Sequence, residues 1–525
     1  MGAEAQVIIV GGGPVGMGLA IELAQRGVRS IVLERHYEPQ PIPKGQNLTQ
    51  RTMEHFRRWG VEEAVRKASP IPVSFGIGGL TAYSTLLSPY HYDWYQRVIV
   101  RPFYVCDNER LPQYETEAAL RARAAQMPQI ETYFGWTAQG ITQNAEGVEV
   151  DAVSRDGERR VWRAHYLVGC DGARSLVREE AGLTQTRSDH EIRMVLLIFR
   201  SSDLNKLIAH YKGKSFFNVL HPELDGYWRF FGRVDTGEKW FFHAPVPAGT
   251  TQDNFDFHAY LEGVVGAPFE CSFDHIGFWD LRIAVADDYR KGRIFIGGDA
   301  AHSHPPYGGY GINTGLEDVR NLGWKLAAQL QGWAGVNLLA SYSAERQPVF
   351  VSTARDFIQS FIDSDRAFLR AHDPEKDLQD FQTAWAGRAA QVGEEIRSFE
   401  PNYEGSSLVF GPADATCSAV GEHEFAARAG HHLAPQPLSN GRVIFDELGE
   451  GFTLLALDAD EACVADFERE AKAMRIPLKV IRDHFTDERQ AYAARLVLIR
   501  PDDFVAFAGD GPVNAKDILA RATGA

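Results

Sequence analysis

The 525-residue chain has little cysteine: five residues, far apart and with no CxxC or metal-ligand spacing, namely Cys106, Cys170, Cys271, Cys417 and Cys463. This pattern excludes a disulfide framework, favours a reducing compartment and leads us to expect no metal site. The chain also lacks any run of about 18 apolar residues, the length that a membrane-spanning helix needs. Glu4 stands where a secretory signal would carry a basic flank. We therefore expect a cytoplasmic protein that makes no membrane contact.

Basic runs are missing too. Lys and Arg together number 54 against 70 Asp and Glu, which gives a net charge of -16 at pH 7. Nucleic acids are bound mainly through Lys and Arg that neutralise phosphates, so we expect no nucleic-acid partner. Hydrophobic residues at 44% and charged residues at 24% are typical of a globular protein, and the length allows two or three compact units.

The first 35 residues follow the order strand, glycine turn, helix, strand and acid. Gly11 permits the tight turn, Gly13 lets the backbone approach a pyrophosphate, and Gly16 lets the helix pack closely on the strand. Glu34, eighteen residues after Gly16, can accept hydrogen bonds from ribose hydroxyls. The pattern predicts a dinucleotide site that includes Gly11, Gly13, Pro14, Val15, Gly16, Glu34 and Arg35.

Two later segments each combine an apolar strand with an acidic glycine turn. Tyr166–Gly169 is followed by Asp171-Gly172, and Ile294–Ile296 is followed by Asp299 and the glycine-rich run 305–315. These segments resemble the DG and GD motifs of the para-hydroxybenzoate hydroxylase family, the class A flavoprotein monooxygenases. The resemblance covers roughly residues 5 to 370 and implies that the dinucleotide is FAD.

The resemblance also assigns cofactor contacts. It implies that Asp299 binds the ribityl hydroxyls, and that the segment 43–52 braces the pyrophosphate with Lys44 where the family usually has arginine. The implied contacts are Lys44, Gln113, Asp171, Gly172, Asp299, Pro306, Gly309, Gly311, Ile312 and Asn313. The spacing of Thr314 and Glu317 predicts a capping box, hence a helix whose N-terminus faces the flavin.

We predict an α/β fold: a Rossmann-like FAD-binding domain interleaved with an antiparallel-sheet substrate domain, followed by a C-terminal thioredoxin-like domain. The FAD-binding core with its inserted sheet spans 1–370, with FAD parts at about 1–75, 100–188 and 284–345 and substrate parts at about 76–99 and 189–283. Residues 371–412 are predicted to be a helical segment and linker. Residues 413–525 form the thioredoxin-like domain, which lacks CxxC.

The resemblance implies hydroxylation of a phenolic aromatic substrate. The cofactor is FAD, the co-substrates are O2 and either NADPH or NADH, and the oxygen reacts through a flavin C4a-hydroperoxide. Phenols become nucleophilic on deprotonation, so the site needs a base or proton relay. The candidates are His243, Tyr227, Arg229, His304 and Tyr307, in or near a stretch dense in Phe, Tyr and Trp.

Two alternatives stay open. One is hydroxylation or Baeyer-Villiger-type oxygenation of a larger polyketide-like substrate, and the other is a flavin-binding protein without oxygenase turnover. The Trp-x-Trp-x-Ile-Pro pattern of the related flavin halogenases is absent. We expect a homodimer, because symmetric dimers are the commonest oligomers.

Overall fold

The computed structural model describes residues 4–94 and 96–525. Residues 1–3 and Tyr95, which belong to the predicted segments 1–75 and 76–99, lie outside the described residues. No helix in the described ranges is both long and apolar enough to cross a bilayer.

Strands and helices alternate along the chain. The strands, in chain order, are β1 (Val7–Val10), β2 (Ser30–Glu34), β3 (Asn47–Leu48), β4 (Gly78–Tyr83), β5 (His91–Trp94), β6 (Glu109–Arg110), β7 (Ile130–Phe134), β8 (Trp136–Gln143), β9 (Val148–Ser154), β10 (Arg159–Ala164), β11 (Tyr166–Gly169), β12 (Gln185–Arg200), β13 (Lys214–Leu220), β14 (Trp228–Arg233), β15 (Lys239–Val246), β16 (Ser272–Ala286), β17 (Arg290–Lys291), β18 (Ile294–Ile296), β19 (His302–Ser303), β20 (Phe399–Asn402), β21 (Ser418–Val420), β22 (Phe452–Leu457), β23 (Leu478–Asp483), β24 (Leu496–Ile499) and β25 (Val505–Gly509). The helices are α1 (Pro14–Gln25), α2 (Gln50–Trp59), α3 (Glu62–Ala68), α4 (Gln113–Ala124), α5 (Leu176–Glu180), α6 (Ser202–Leu207), α7 (Phe257–Val265), α8 (Tyr310–Gln331), α9 (Ser341–Ser352), α10 (Ser360–Ala371), α11 (Leu378–Gln391), α12 (Glu394–Ser398), α13 (Ile444–Glu447), α14 (Glu461–Ala473) and α15 (Ala515–Ala522). A π-helical turn, Thr353–Gln359, joins α9 to α10.

A six-stranded sheet has the order β17-β18-β11-β1-β2-β7. All its neighbours are parallel except β17 and β18. The central strand β1 is buried along its whole length, as parallel strands covered on both faces must be. The carboxyl ends of β1, β2, β11 and β18 lead into Gly11, Glu34, Asp171 and Asp299, so the fold brings the predicted dinucleotide motifs to one edge.

An eight-stranded sheet has the order β19-β16-β12-β15-β14-β13-β4-β5, and it combines residues 78–94 with residues 185–286 and β19. Its strands alternate between two faces. One face packs in an apolar core that contains Leu197, Phe217, Phe231 and Phe242. The opposite face looks towards the six-stranded sheet and forms one wall of a cavity.

The C-terminal sheet has the order β23-β22-β24-β25. Strand β22 is parallel to β23 and antiparallel to β24, and β24 is antiparallel to β25. With α14 between β22 and β23 and α15 after β25, this is a thioredoxin-like arrangement. Cys463 is a buried free thiol at its core.

The end of the predicted helical segment and linker, residues 401–412, packs into the protein: Tyr403, Leu408 and Val409 are fully buried. Leu408 belongs to a core that also contains Trp324 and Phe452. The predicted capping box is absent: α8 begins at Tyr310, and Thr314 lies inside the helix, where its hydroxyl donates to the Tyr310 carbonyl.

Candidate active site

A cavity of about 770 Å³ lies between the edge of the six-stranded sheet and the open face of the eight-stranded sheet. Most of the predicted cofactor residues line it, namely Gly11, Gly13, Pro14, Val15, Glu34, Arg35, Lys44, Gln113, Asp171, Gly172, Asp299, Pro306, Gly309, Gly311 and Ile312. Of the predicted set, Gly16 and Asn313 are the two that are not part of the wall.

The first glycine turn is shaped for a close ligand. Gly11 has a φ of +106°, and a Cβ there would lie 2.2 Å from the Cys170 carbonyl oxygen. A Cβ on Gly16 would lie 1.9 Å from the Gly11 carbonyl oxygen, so Gly16 permits helix-to-turn packing. At Gly13 a Cβ would have no atom within 4 Å, which leaves this backbone and the start of α1 open to the cavity. The positive end of the helix dipole faces that space.

Glu34 joins the turn to the second strand. Its Oε2 accepts from the Gly12 backbone N–H at 2.7 Å and its Oε1 accepts from the His36 N–H at 2.8 Å. A carboxylate has about four acceptor positions. Each oxygen therefore keeps a lone pair for a ligand hydroxyl.

Asp299 presents an unpaired carboxylate to the cavity. It is open to the cavity yet enclosed by protein, and this burial raises the pKa of Asp299. None of the described residues donates a hydrogen bond to it, although His302 and Lys44 partly oppose the rise in its pKa. Such an acceptor suits a ligand that brings hydroxyl donors.

Asp171 has a different role in its turn. One carboxylate oxygen accepts from Ser175 Oγ at 2.5 Å and the other from the Val177 N–H at 3.1 Å, so the side chain braces the start of α5. Arg178 donates to the carbonyls of Ala300 and Ala173 at 2.9 and 3.1 Å. These bonds connect the two acidic turns to each other.

Asn313 fixes the glycine-rich loop from behind the cavity wall. Its Oδ1 accepts from the Thr49 N–H at 2.9 Å and from Thr52 Oγ1 at 2.6 Å. Its Nδ2 donates to the carbonyls of Asn47 and Gly309 at 2.8 and 2.6 Å. All the side chain's hydrogen-bonding capacity is thus used to lock the first turn of α8 against the loop that carries Lys44.

Asp318 supports the Asp299 turn. It accepts from the Gly298 N–H at 3.0 Å, from His302 Nε2 at 2.7 Å and from Arg346 Nε at 2.8 Å. Burial would raise the pKa of Asp318, but His302 and Arg346 hold it below its usual value. Sequence reasoning missed this brace, because Arg346 lies 28 residues away along the chain.

Of the five predicted catalytic residues, His243, His304 and Tyr307 line the cavity, whereas Tyr227 and Arg229 do not. On β14, Trp228 and Phe230 point to the cavity, so strand alternation turns Arg229 to the other face, over the Tyr260 ring. The Tyr227 hydroxyl is hydrogen-bonded to His190 Nδ1 at 2.9 Å, away from the cavity wall. The prediction that Tyr227 and Arg229 are catalytic residues is therefore withdrawn.

The two cavity histidines are neutral. Burial lowers the pKa of His243 to about 4 and that of His304 to about 4. His304 Nδ1 lies 2.5 Å from the Pro305 carbonyl oxygen, which only an N–H can approach. His304 therefore carries its proton on Nδ1 and keeps a lone pair on Nε2. Burial raises the pKa of Tyr307, which stays a hydroxyl donor.

Known protein families match both ends of the chain. The FAD binding domain family matches residues 4–356, and the C-terminal domain family of aromatic-ring hydroxylases matches residues 426–525. The chain belongs to the FAD-dependent aromatic-ring hydroxylases. It is an FAD-dependent aromatic monooxygenase of the class A flavoprotein type, as the two acidic glycine turns predicted.

Individual relatives match this chain over almost its whole length. The chain is 30% identical to 4-methyl-5-nitrocatechol 5-monooxygenase from a Burkholderia species, over 96% of this chain and 94% of that protein. It is 30% identical to a putative polyketide hydroxylase from Streptomyces halstedii, over 97% and 94%. The rebeccamycin biosynthetic enzyme RebC with reduced flavin has a similar structure, with a TM-score of 0.86, 26% identity and complete coverage of both chains.

Several wall residues of this aromatic-ring hydroxylase were not among the predicted site residues. They are Trp94, Arg110, Leu196, Asn218, Trp279 and Arg282. The alternation of β12 to β16 was visible in the sequence, but alternation does not say which face meets the flavin side. Trp94 comes from β5, and the chain that contains β6 to β11 separates β4 and β5 from the rest of this sheet. Among the described residues, no group of three or more His, Cys, Asp and Glu could hold a metal ion.

Proposed function

We propose that this aromatic-ring hydroxylase adds one oxygen atom to a phenolic substrate and consumes NADPH or NADH and O2. The observation that carries the proposal is that one cavity has two unlike walls. One wall carries the glycine turns and the carboxylates of Glu34 and Asp299. The other carries Trp228, Phe230 and Phe241, which suit a flat aromatic molecule.

The residues present fit FAD. The open backbone at Gly13 and the start of α1 would hold the pyrophosphate, Glu34 the adenosine ribose, and the unpaired Asp299 the ribityl hydroxyls. When bound, FAD would take a hydride from the coenzyme and, with O2, supply the electrophilic oxygen of a C4a-hydroperoxide.

The protein's own contribution is placement and proton transfer. The start of α8, beside Gly309, Gly311 and Ile312, directs unpaired backbone N–H groups towards the cavity and favours negative charge there. The aromatic wall limits the access of water to the reacting ring. The neutral imidazoles of His243 and His304 can accept a hydrogen bond from a phenolic hydroxyl and begin a proton relay.

The test is oxygen incorporation by the purified holoenzyme. A panel of phenols is incubated with NADPH or NADH under ¹⁸O2, and products are analysed by mass spectrometry. The proposal predicts one ¹⁸O atom per hydroxylated product and one coenzyme consumed per product. Coenzyme oxidation that yields only hydrogen peroxide for every phenol would contradict it and favour a flavoprotein without oxygenase turnover.

A second candidate is oxygenation, by hydroxylation or Baeyer-Villiger chemistry, of a larger polyketide-like substrate. It is favoured by the likeness to the Streptomyces hydroxylase and by the width of the aromatic wall, which runs from Trp94 on the edge strand to Trp279 on β16. Adding polycyclic phenols and ketones to the same panel separates the two. An ester product in place of a phenol would identify Baeyer-Villiger chemistry.

The proposal includes a cytoplasmic homodimer. Its support is the general frequency of symmetric dimers and the scattered free cysteines. Light scattering coupled to gel filtration measures the mass, and a mass of one 58.5 kDa chain would contradict the dimer.

A further inference from the structure

Three residues form a continuous row across the substrate wall. Asn218 on β13 is paired with Phe230 on β14, and Phe230 is paired with His243 on β15. All three line the cavity. Because residues in register share a face, the row places a polar side chain on each side of an aromatic ring.

Each of the two polar side chains has a buried atom without a hydrogen-bond partner in the described part of the chain. Asn218 is 6% exposed and His243 is 7% exposed. Asn218 Oδ1 and His243 Nδ1 are both buried. Among the described residues, Asn218 Oδ1 accepts no hydrogen bond and His243 Nδ1 takes part in none. They cannot satisfy each other, because β14 stands between them and two strand spacings amount to about 10 Å. A buried polar group without a partner costs about 1–3 kcal/mol, so such groups normally have a ligand or water partner.

The immediate neighbours of His243 in the sheet are apolar. Leu196 is in register with His243 and Phe241 lies beside it, with ring centroids 5.5 Å apart. Burial keeps the His243 ring uncharged at neutral pH. The row thus offers an amide, which both donates and accepts, and a neutral imidazole, which does the same at its two nitrogens.

We propose that Asn218 and His243 form a substrate subsite that binds the hydroxyl and carbonyl groups of an uncharged oxygenated aromatic compound, whose ring packs against Phe230. The inference rests on the proposed function and specifies its substrate class. A carboxylate substrate is disfavoured, since an anion placed on this row loses its hydration against two neutral side chains. Arg110, on the same cavity wall, donates its hydrogen bonds to Gln46 Oε1 and to the Arg233 carbonyl.

The test measures equilibrium binding to the oxidised holoenzyme, by flavin absorbance changes and by calorimetry, without coenzyme. Three probes share one skeleton: 6-hydroxy-2-acetonaphthone, whose hydroxyl and carbonyl lie at opposite ends of the ring system, 2-acetonaphthone, which lacks the hydroxyl, and 6-hydroxy-2-naphthoic acid, which is an anion at neutral pH. We expect the hydroxyketone to bind about tenfold or more tightly than either of the others, because each tenfold step corresponds to one good hydrogen bond of about 1.4 kcal/mol. Failure of the hydroxyketone to bind, or a preference for the acid, overturns the inference.

Variants assign the preference to the row. N218L and H243F should each weaken hydroxyketone binding about tenfold and change binding of 2-acetonaphthone less. H275L is the matched control, a half-exposed histidine on β16 that is not part of the cavity wall, and it should leave all three affinities within about twofold. An unchanged ranking in N218L would mean that ordered water satisfies the amide, and the subsite is rejected.

The outcomes distinguish this inference from the proposed function. If the holoenzyme ranks the probes as expected but incorporates no ¹⁸O into any phenol, the subsite stands and the oxygenase proposal fails. If ¹⁸O is incorporated while N218L and H243F bind the hydroxyketone normally, the oxygenase proposal stands and the subsite is rejected. The probe comparison on the unmodified protein remains decisive even if a variant does not retain FAD.

Discussion

Arg500 donates hydrogen bonds to both carboxylate oxygens of Glu345, at 2.7 and 2.9 Å, and both side chains are fully buried. Arg500 follows β24 in the C-terminal sheet, and Glu345 lies on α9, behind the flavin loop. Lys325 Nζ on α8 also donates to Glu345, at 2.7 Å. Burial would raise the pKa of Glu345, but Arg500 and Lys325 hold it well below its usual value. The C-terminal domain is therefore bound to the two helices that support the cofactor site.

Removing one member of this buried pair should strongly destabilise the fold. R500M leaves the Glu345 charge without its main partner, and we expect the free energy of unfolding to fall by about 3–5 kcal/mol. Urea denaturation measures the change. The matched control is R482M, whose partners Glu461 and Glu468 are solvent-exposed, so its effect should stay below about 1 kcal/mol. Equal losses in the two variants would contradict a special role for the buried pair.

Glu34 should control the affinity for FAD. E34Q removes the charge that would accept ribose hydroxyls and turns an amide NH2 group towards the Gly12 or the His36 N–H. We therefore expect the Kd of FAD to rise by roughly 10–100-fold, equivalent to about 1.4–2.8 kcal/mol. Fluorescence titration of the apoprotein with FAD measures it. E131Q, on the neighbouring strand β7 where the residue is exposed, is the control and should bind FAD normally. An unchanged Kd in E34Q would place the adenosine elsewhere.

Asn313 should hold the glycine-rich loop in place without touching FAD through its side chain. N313A removes the four hydrogen bonds of the Asn313 side chain. We expect the free energy of unfolding to fall by about 1–3 kcal/mol and FAD to be released faster. Thermal unfolding and dilution-induced loss of flavin are the measurements. N337A alters an exposed asparagine and should change neither. Normal flavin retention in N313A would show that the loop keeps its shape without these hydrogen bonds.

The neutral histidines should make the protein acid-sensitive. The pKa of His243 and that of His304 are lowered to about 4 by burial, against about 6.5 in an unfolded chain. Between these values the unfolded state binds more protons, so stability is complete above about pH 6.5 and falls as the pH drops towards 4, by on the order of 3 kcal/mol per histidine.

Urea unfolding at pH 7.0 and pH 4.5 checks this dependence. H243Q and H304Q should each reduce the difference in stability between the two pH values. H210Q, at an exposed histidine, should leave the difference unchanged. A pH dependence that is the same in all three variants would contradict neutral burial of His243 and His304.

Much of the fold could be predicted because its signals are local. The strands Tyr166–Gly169 and Ile294–Ile296 and the turns at Gly11, Asp171 and Asp299 depend on residue patterns and glycines within a few positions. These turns also meet at one sheet edge, as the carboxyl ends of parallel strands must. The cofactor wall therefore followed largely from the sequence.

The remaining errors concern orientation and long-range contacts. Alternation on β14 predicted two faces but could not assign Arg229 to the outer face and Phe230 to the cavity. Asn313 was interpreted as a ligand contact, whereas the hydrogen bonds of its side chain all go to neighbouring segments of the chain. The pair of Arg500 and Glu345 joins positions 155 residues apart, and no local pattern signals such a contact.

The most direct test of the account is anaerobic stopped-flow reduction of the purified flavoprotein by NADPH and by NADH, with and without phenols, followed by mixing with oxygenated buffer. The account predicts bound FAD, faster reduction with one class of phenol, and then stoichiometric hydroxylated product. A protein that purifies without FAD and does not bind it, or a bound flavin that neither coenzyme reduces with any phenol or ketone, would contradict it.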